Sequence, residues 1–288
     1  MSKEFNYSFI IPHKNCPDLL QRCVDSIPER DDVQVIVVDD NSDEGKKPAL
    51  KERKNLQVIL LDATNSKGAG RARNVGLEHA VGKWLLFPDS DDYFVEGFLS
   101  VLDTYIAETR DVVYYNYVFK NGITGEELPK LGYRRCFDEY DGSKEALDKV
   151  KYRIKAPWTK MVSHAFIDKH NIGFEEVPNG NDILFTLSVG YYASNIVVVK
   201  EPLYVYLRNK NSILTSKENV SGAFCRLEHL IKLNYFHAFI GHPEWKRSVT
   251  KRIFSKIASL KVPFISVLCK NSYRLYKERK EWVKMFSK

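Results

Sequence analysis

The sequence predicts an α/β protein: a mostly parallel sheet with helices on both faces, plus a helical C-terminal extension. Strand-like and helix-like segments alternate through the first 90 residues, and such alternation argues a parallel sheet built from crossover units. Several strand segments are unbroken apolar runs, as expected where both faces of a sheet are covered. From residue 216 onward the chain reads as mainly helical and rich in Lys, Tyr and Phe.

"YSFIIP" (7–12) is a short apolar run stopped by a proline and reads as the first strand. In "PDLLQRCVDSI" (17–27), Leu20, Val24 and Ile27 recur at helical spacing, and Pro17 suits a first turn. "VQVIVVDDNSD" (33–43) is a β-branched run ending in polar turn residues, and "LQVILLDA" (56–63) is a third strand, with a helix expected between the two. "GRARNVGLEHAVG" (70–82) reads as helix, with Ala72, Val75 and Ala80 at small or apolar positions and Gly82 as its stop. "KWLLFPD" (83–89) is a fourth strand. Further on, "DVVYYNYVF" (111–119) alternates like a strand, "TGEELP" (124–129) is a turn, and "DGSKEALDKVKY" (141–152) starts a helix.

Composition bounds the function. The 288 residues suffice for one large domain or two modest ones. No apolar run reaches the roughly 20 residues of a spanning helix, and the N-terminal segment lacks a signal-peptide core, so a cytoplasmic protein is expected. The five cysteines, Cys16, Cys23, Cys136, Cys225 and Cys269, form no CxxC pair, which argues against a disulfide framework or a zinc site. Net charge is +7, but residues 245–288 hold 13 Lys+Arg against 2 Asp+Glu while the rest is mildly acidic. Such a tail seeks an anionic surface. It carries no recognised nucleic-acid module, so no nucleic acid is expected. Peripheral contact with an anionic membrane at its inner face is one reading, which Val249, Ile253, Ile257 and Leu260 on one helical face would help, with Trp282 and Phe286; packing of that face back onto the body is the other.

Two carboxylate clusters stand at strand ends: Asp39 and Asp40, and "FPDSDDYF" with Asp89, Asp91 and Asp92. Ligands of open α/β sheets bind outside the carboxyl ends of the strands, so the clusters can share one crevice. Hard cations such as Mg²⁺ and Mn²⁺ take carboxylate oxygens. A solvated turn with Asp91 or Asp92 capping the next helix is the other reading.

Six segments together resemble the family-2 glycosyltransferases of the GT-A fold: "SFIIPHKN", "VIVVDDNSDE", "GRARNVGLEHAVGKWLLFPDSDDYF", "APWTKMVSHAFIDKHNIGF", "GNDILFTLSVGYYAS" and "PLYVYLRNKNSI". They follow the family's order over 7–213; the tail is not covered. The resemblance implies a Rossmann-like GT-A sheet whose donor half is 1–105 and acceptor half 106–215, with 216–288 as the basic extension. It implies that Asp40, with Asp39 beside it, meets the nucleotide base, and that Pro12 and Lys14 line the same site; capping of the turn "DDNSD" is the other role open to the two aspartates, and both can hold. Arg73, more than Arg71, approaches the donor. Asp91 is implied as the direct ligand of a divalent cation, Mn²⁺ or Mg²⁺, with Asp89 on the ribose or the metal's water and Asp92 supporting the turn.

Asp182 matches the general base, and Asn181 stands where the family usually has glutamate. Read from the sequence alone, Asp182 would instead be the N-cap of 183–192. Trp158 and Lys160 match the acceptor side, and a core tryptophan is the competing reading at 158. Tyr206 and Arg208 match the segment that closes over the donor phosphates. The implied activity is metal-dependent, inverting transfer from a nucleotide-diphosphate sugar, a UDP-sugar first, to a hydroxyl of a glycan or lipid-linked acceptor in polysaccharide or cell-envelope synthesis. A non-catalytic sugar- or nucleotide-binding partner of a transferase is the alternative. A nucleotidyltransferase ranks below it, because "PHKNCPD" has no glycine with which to wrap a triphosphate.

Overall fold

The computed structural model describes residues 4–106, 109–129, 132–209 and 219–286. The chain divides into two compact units: Met1–Val177 with Asn181–Ser212, and Pro178–Gly180 with Ile213–Lys288. The boundary expected at 215/216 lies outside the described residues, as does the end of the "RNKNSI" segment.

In the first unit the elements run β1 (Tyr7–His13), α1 (Pro17–Asp25), β2 (Val33–Asp39), β3 (Leu56–Leu60), α2 (Ala69–His79), β4 (Trp84–Leu86), β5 (Tyr93–Phe94) and α3 (Phe98–Asp103). Then come β6 (Val112–Asn121), α4 (Gly132–Asp138), α5 (Lys144–Arg153), β7 (Lys160–Ser163), α6 (His164–His170), α7 (Asp182–Tyr192) and β8 (Ile196–Arg208). One sheet of eight strands has the order β3-β2-β1-β4-β7-β6-β8-β5. β1, β2, β3 and β4 are mutually parallel, as are β6 and β8, while β7 runs against β4 and β6, and β5 against β8.

Every residue of β1 is buried, which explains its mostly apolar spelling; Ser8 and His13 are the polar exceptions, each hydrogen-bonded. β1 pairs with β4 only as far as Phe9 and with β2 alone beyond it, so Pro12 sits where one neighbour has ended. α2 lies close on β1 because Gly76 has no side chain: a Cβ there would stand 2.3 Å from Ile10 Cγ2. Gly70 does the same at the other end of α2, where a Cβ would meet Glu175 O at 2.1 Å. That contact sets the start of α2 beside the 175–181 segment, which leads into α7.

Two expectations need correcting. No helix joins β2 to β3: Asn41 and Gly45 take positive φ, Pro48 follows, and the segment has few apolar residues to bury. β6 does not alternate; seven of its first eight residues are buried, and its register slips at Asn116, whose side chain accepts from the Tyr117 N–H and donates to Lys200 O at the bulge.

The second unit contains α8 (Val220–Phe239) and α9 (Val249–Lys284). Asn219 caps α8 by accepting the Gly222 N–H at 2.7 Å. α9 kinks at Lys261, whose φ of 52° and ψ of −139° break the helix ahead of Pro263. Ala223, Phe224 and Leu227 of α8 form a core with Phe264 and Leu275 of α9. No described helix is long and apolar enough to cross a membrane.

Candidate active site

The turn after β2 is built inward. Asp39 is buried, 2.7 Å from His13 Nδ1, and accepts the Ser42 N–H at 2.9 Å and the Ser42 hydroxyl. His13 Nε2 accepts the Cys16 N–H at 3.2 Å, so Nδ1 is the nitrogen that donates to Asp39. Asp39 thus pins the β1–α1 loop to the β2 turn and has no open side, which corrects its expected place on the donor. Asp40, also buried, accepts the Gly68 N–H at 3.1 Å just before α2, and Lys14 Nζ reaches its carbonyl at 2.9 Å. The rest of the Lys14 side chain is open to solvent.

The acidic turn after β4 divides its three aspartates. Asp92 has no exposed surface, and its two oxygens accept the Leu207 N–H (2.8 Å) and the Tyr204 hydroxyl (3.0 Å), which ties the turn to β8. The Tyr204 oxygen in turn accepts the Asp89 N–H at 3.0 Å. Burial, with Asp91 and Asp89 adding repulsion, pushes the Asp92 carboxyl well up. Asp91 is half-buried; Asn209 donates to its Oδ2 at 3.1 Å and Arg22 to its carbonyl at 2.9 Å. Burial and then Asp89 raise its carboxyl as well. Neither Asp91 nor Asp92 caps α3, which begins after Gly97.

Arg73 joins this turn to the start of α7. Its Nη2 lies 2.5 Å from Asp89 Oδ1, its Nη1 donates to Asn181 Oδ1 at 2.9 Å, and the Phe174 ring backs the guanidinium at 5.3 Å. Asn181 occupies the N-cap position of α7 but makes no capping bond with its side chain, because that side chain is turned to Arg73. Asp182 is the first helical residue, not the cap. Burial pushes its carboxyl up; the Arg73 charge opposes this, Asp89 adds to it and Lys160 opposes it.

Two acceptor-side expectations are corrected by packing. Lys160 has no exposed surface; its ammonium donates to Ala156 O at 2.6 Å and reaches Ile154 O and Thr159 Oγ1 at 3.3 Å. Burial pushes its pKa down to about 7, against the pull of Asp182. Trp158 is buried between Tyr204 and Tyr206, stacked on both at 4.9 and 5.2 Å, with Tyr117 edge-on. Neither face is left for a sugar ring. Tyr206 also stacks on Phe119, and Arg208 ends β8 exposed. Arg71 lies on an ion pair with Glu176 at 3.5 Å, away from the acidic turn.

The capped turn of Asp39 with Ser42 was open to sequence reasoning, which missed His13, Tyr204 and Asn209, the other residues that hold the aspartates. Only Tyr204 left a signal: it is two residues before Tyr206 in a strand, and so shares its face.

The residues present fit a divalent cation of the hard type. Asp91 and Asp89 offer oxygen donors only, and Asp91 is a carboxylate whose burial a cation would offset. Among the described residues no group of three or more His, Cys, Asp or Glu could hold a metal by itself.

A family model described as glycosyl transferase family 2 matches residues 8–167, more than half of the chain. The poly(ribitol-phosphate) beta-N-acetylglucosaminyltransferase TarS of Staphylococcus aureus is 27% identical over 226 residues, 76% of this chain, which spans only 37% of that relative's length. The glycosyltransferase GlyG of Streptococcus pneumoniae is 30% identical over 240 residues, covering 75% of each chain. A crystal structure of S. aureus TarS 1–349 in complex with UDP-GlcNAc shares the fold with a TM-score of 0.60 at 21% identity, over 98% of this chain and 79% of that one. The motifs that span β1 to α6, the eight-stranded sheet and these matches agree: the chain belongs to glycosyl transferase family 2.

Proposed function

We propose that the protein transfers a sugar from a nucleotide-diphosphate donor, a UDP-sugar first, to an acceptor hydroxyl with inversion at the anomeric carbon. The observation that carries this is the Arg73 bridge, which brings Asp89 of the acidic turn and Asn181, next to Asp182, to one guanidinium. A donor bound at the carboxyl ends of β1, β2 and β4 would have its base near Asp40 and Lys14 and its diphosphate toward Arg73 and the acidic turn, with Arg208 on the outer side. Asp182 accepts the proton of the attacking hydroxyl, a role for which a carboxyl raised by burial is suited. Inversion by direct displacement requires no covalent intermediate. A divalent cation, Mn²⁺ or Mg²⁺, on Asp91 with Asp89 would neutralise charge growing on the leaving diphosphate.

Asn181 holds Arg73 without adding a second negative charge beside Asp182. TarS is named for a poly(ribitol-phosphate) acceptor, and an envelope glycan or lipid-linked acceptor is the class proposed here. A lipid-linked acceptor would bring the chain to an anionic inner membrane face, with residues 245–288 as the peripheral contact. The test is a donor screen: purified protein with UDP-, GDP- and dTDP-sugars and Mn²⁺, with nucleotide release measured. Release from a UDP-sugar is expected. UDP binding with no release from any donor identifies a binding module instead.

A further inference from the structure

The apolar face that the sequence offers to a membrane is already used. Val249, Ile253, Ile257 and Leu260 pack onto the core formed by α8 and α9. Trp282 and Phe286 are buried, their rings at 6.2 and 4.8 Å from that of Phe236. If those residues alone made the tail adhesive, no surface would remain for lipid.

Past the kink at Lys261, however, α9 exposes a different apolar stripe. Val262 is 73% exposed, Ile265 38% and Tyr273 77%, with Cys269 exposed between them. At about 100° per residue, these four positions fall within a sector of roughly 80°. The buried residues of the same segment, Phe264, Leu275 and Trp282, lie on the opposite side of the helix. Counted at the same angle, Val249, Ile253, Ile257 and Leu260 fall on the side of Phe264, Leu275 and Trp282, so the stripe is the face opposite the packed one. Lys270, Lys277 and Lys284 are exposed on the flank of the stripe or continue it toward the end of the helix.

We infer that this second face of α9, Val262, Ile265, Cys269 and Tyr273 with Lys270, Lys277 and Lys284, docks on the surface of an anionic bilayer. The chemistry matches an interfacial helix: an apolar stripe that reaches the headgroup–acyl boundary, and lysines beside it at headgroup level. Tyr273 has the amphipathic ring that settles at that depth. Net charge selects lipid over a second copy of the chain. Residues 245–288 carry 13 Lys+Arg against 2 Asp+Glu, so pairing two such faces sets like charges against each other, whereas an anionic leaflet attracts them. No described helix could span, so the attachment is peripheral and reversible. The inference rests on the tail's proposed contact with anionic lipid and is independent of which sugar is moved.

The test uses the full chain and sedimentation with phosphatidylcholine vesicles made with and without phosphatidylglycerol. One variant combines Val262→Ser, Ile265→Ser and Tyr273→Ser; a second combines Lys270→Gln, Lys277→Gln and Lys284→Gln. All six residues are exposed, so both variants should melt like the wild type, and melting is measured alongside. The wild type is expected to bind only the anionic vesicles, with the serine variant weaker by about tenfold or more. The glutamine variant should also bind more weakly, with less dependence on salt. Undiminished binding by the serine variant, with loss in the glutamine variant, overturns the face and leaves the tail contact standing. No binding by the wild type overturns both. Self-association of the wild type that the serine changes abolish, without vesicle binding, makes the stripe an interface between copies and also overturns the proposal.

Discussion

Asp91 and Asp92 are neighbours in one turn, yet the protein treats them oppositely. Asp92 is sealed, with a donor from β8 on each oxygen. Asp91 stays half-exposed and receives a single side-chain donor, Asn209. The turn after β2 shows the same sealing at Asp39, which His13 and Ser42 close. An acidic pair at a strand end therefore does two jobs. The sealed member ties the turn to β8, and the open member is the one left for the proposed cation. Chemistry of the letter does not assign the jobs; the donors that distant segments bring do.

The sharpest test compares open carboxylates with sealed ones through activity. Asp182→Asn removes the proposed base and should lower turnover by roughly 10²–10⁴, while UDP affinity by calorimetry stays near that of the wild type. If UDP binding and thermal stability fall together with turnover, Asp182 is a structural residue and belongs with the sealed group. Because burial raises the Asp182 carboxyl, the rate should also climb with pH through a midpoint above the ordinary aspartate range. The charged, proton-accepting form appears only as that raised value is passed.

Asp91→Asn tests the open member of the turn. The asparagine still fits beside Asn209, so folding should be kept. Mn²⁺-dependent UDP affinity should fall by about tenfold or more, equivalent to ~1.4 kcal/mol. Wild-type UDP affinity and turnover that are the same with and without chelator would remove the metal from the reading.

The sealed members should respond in stability. Asp92→Ala strands the Leu207 N–H and the Tyr204 hydroxyl, at about 1–3 kcal/mol for each buried group left unsatisfied. Asp91→Ala strands only a part-buried Asn209 amide and should cost less. Urea denaturation of the two variants gives the comparison directly, and equal losses would dissolve the distinction between sealed and open carboxylates.

Much of this architecture was legible in the sequence, for reasons that are local. The strands β1, β2 and β4 announce themselves because burial on both faces makes most of their residues apolar, and a carboxylate behind such a run must stand at a strand end. Asn181 and Arg73 were legible as separate letters. Their hydrogen bond was not, since 108 positions separate them and the approach depends on Gly70 yielding to Glu175 O. Trp158 and Lys160 were misplaced for a related reason. An aromatic or a lysine beside a motif looks available until tyrosines from β8 arrive to stack on it and one from β6 meets it edge-on, or carbonyls at 154 and 156 enclose its ammonium. In the tail, the stripe at Val249 was legible as apolar, but which partner it meets was not. The second stripe lies opposite the first in the same helical phase, and only the burial of the first side shows which side is left outside.

The last comparison concerns Lys160, a sealed residue of the opposite charge. Its ammonium meets only neutral acceptors, the carbonyls of Ala156 and Ile154 and the Thr159 hydroxyl, and burial lowers its pKa from 10.5 to about 7. The folded protein thus gives up this proton earlier than the unfolded chain does. Between about 7 and 10.5 the unfolded state binds more protons, so stability rises with pH across that window. Below the window the amine is charged in both states and the whole cost of burying it is present; above the window it is neutral in both. The slope from this one group is at most about 1.4 kcal/mol per pH unit. Lys160→Met has no such proton, so its stability relative to wild type should decline as pH is raised from neutral to mildly alkaline, whatever the absolute cost of the two carbonyls it leaves without a donor. Urea denaturation of both proteins at a series of pH values measures the difference. Parallel curves would mean that Lys160 is solvated in solution, which would return it to the surface on which an acceptor binds.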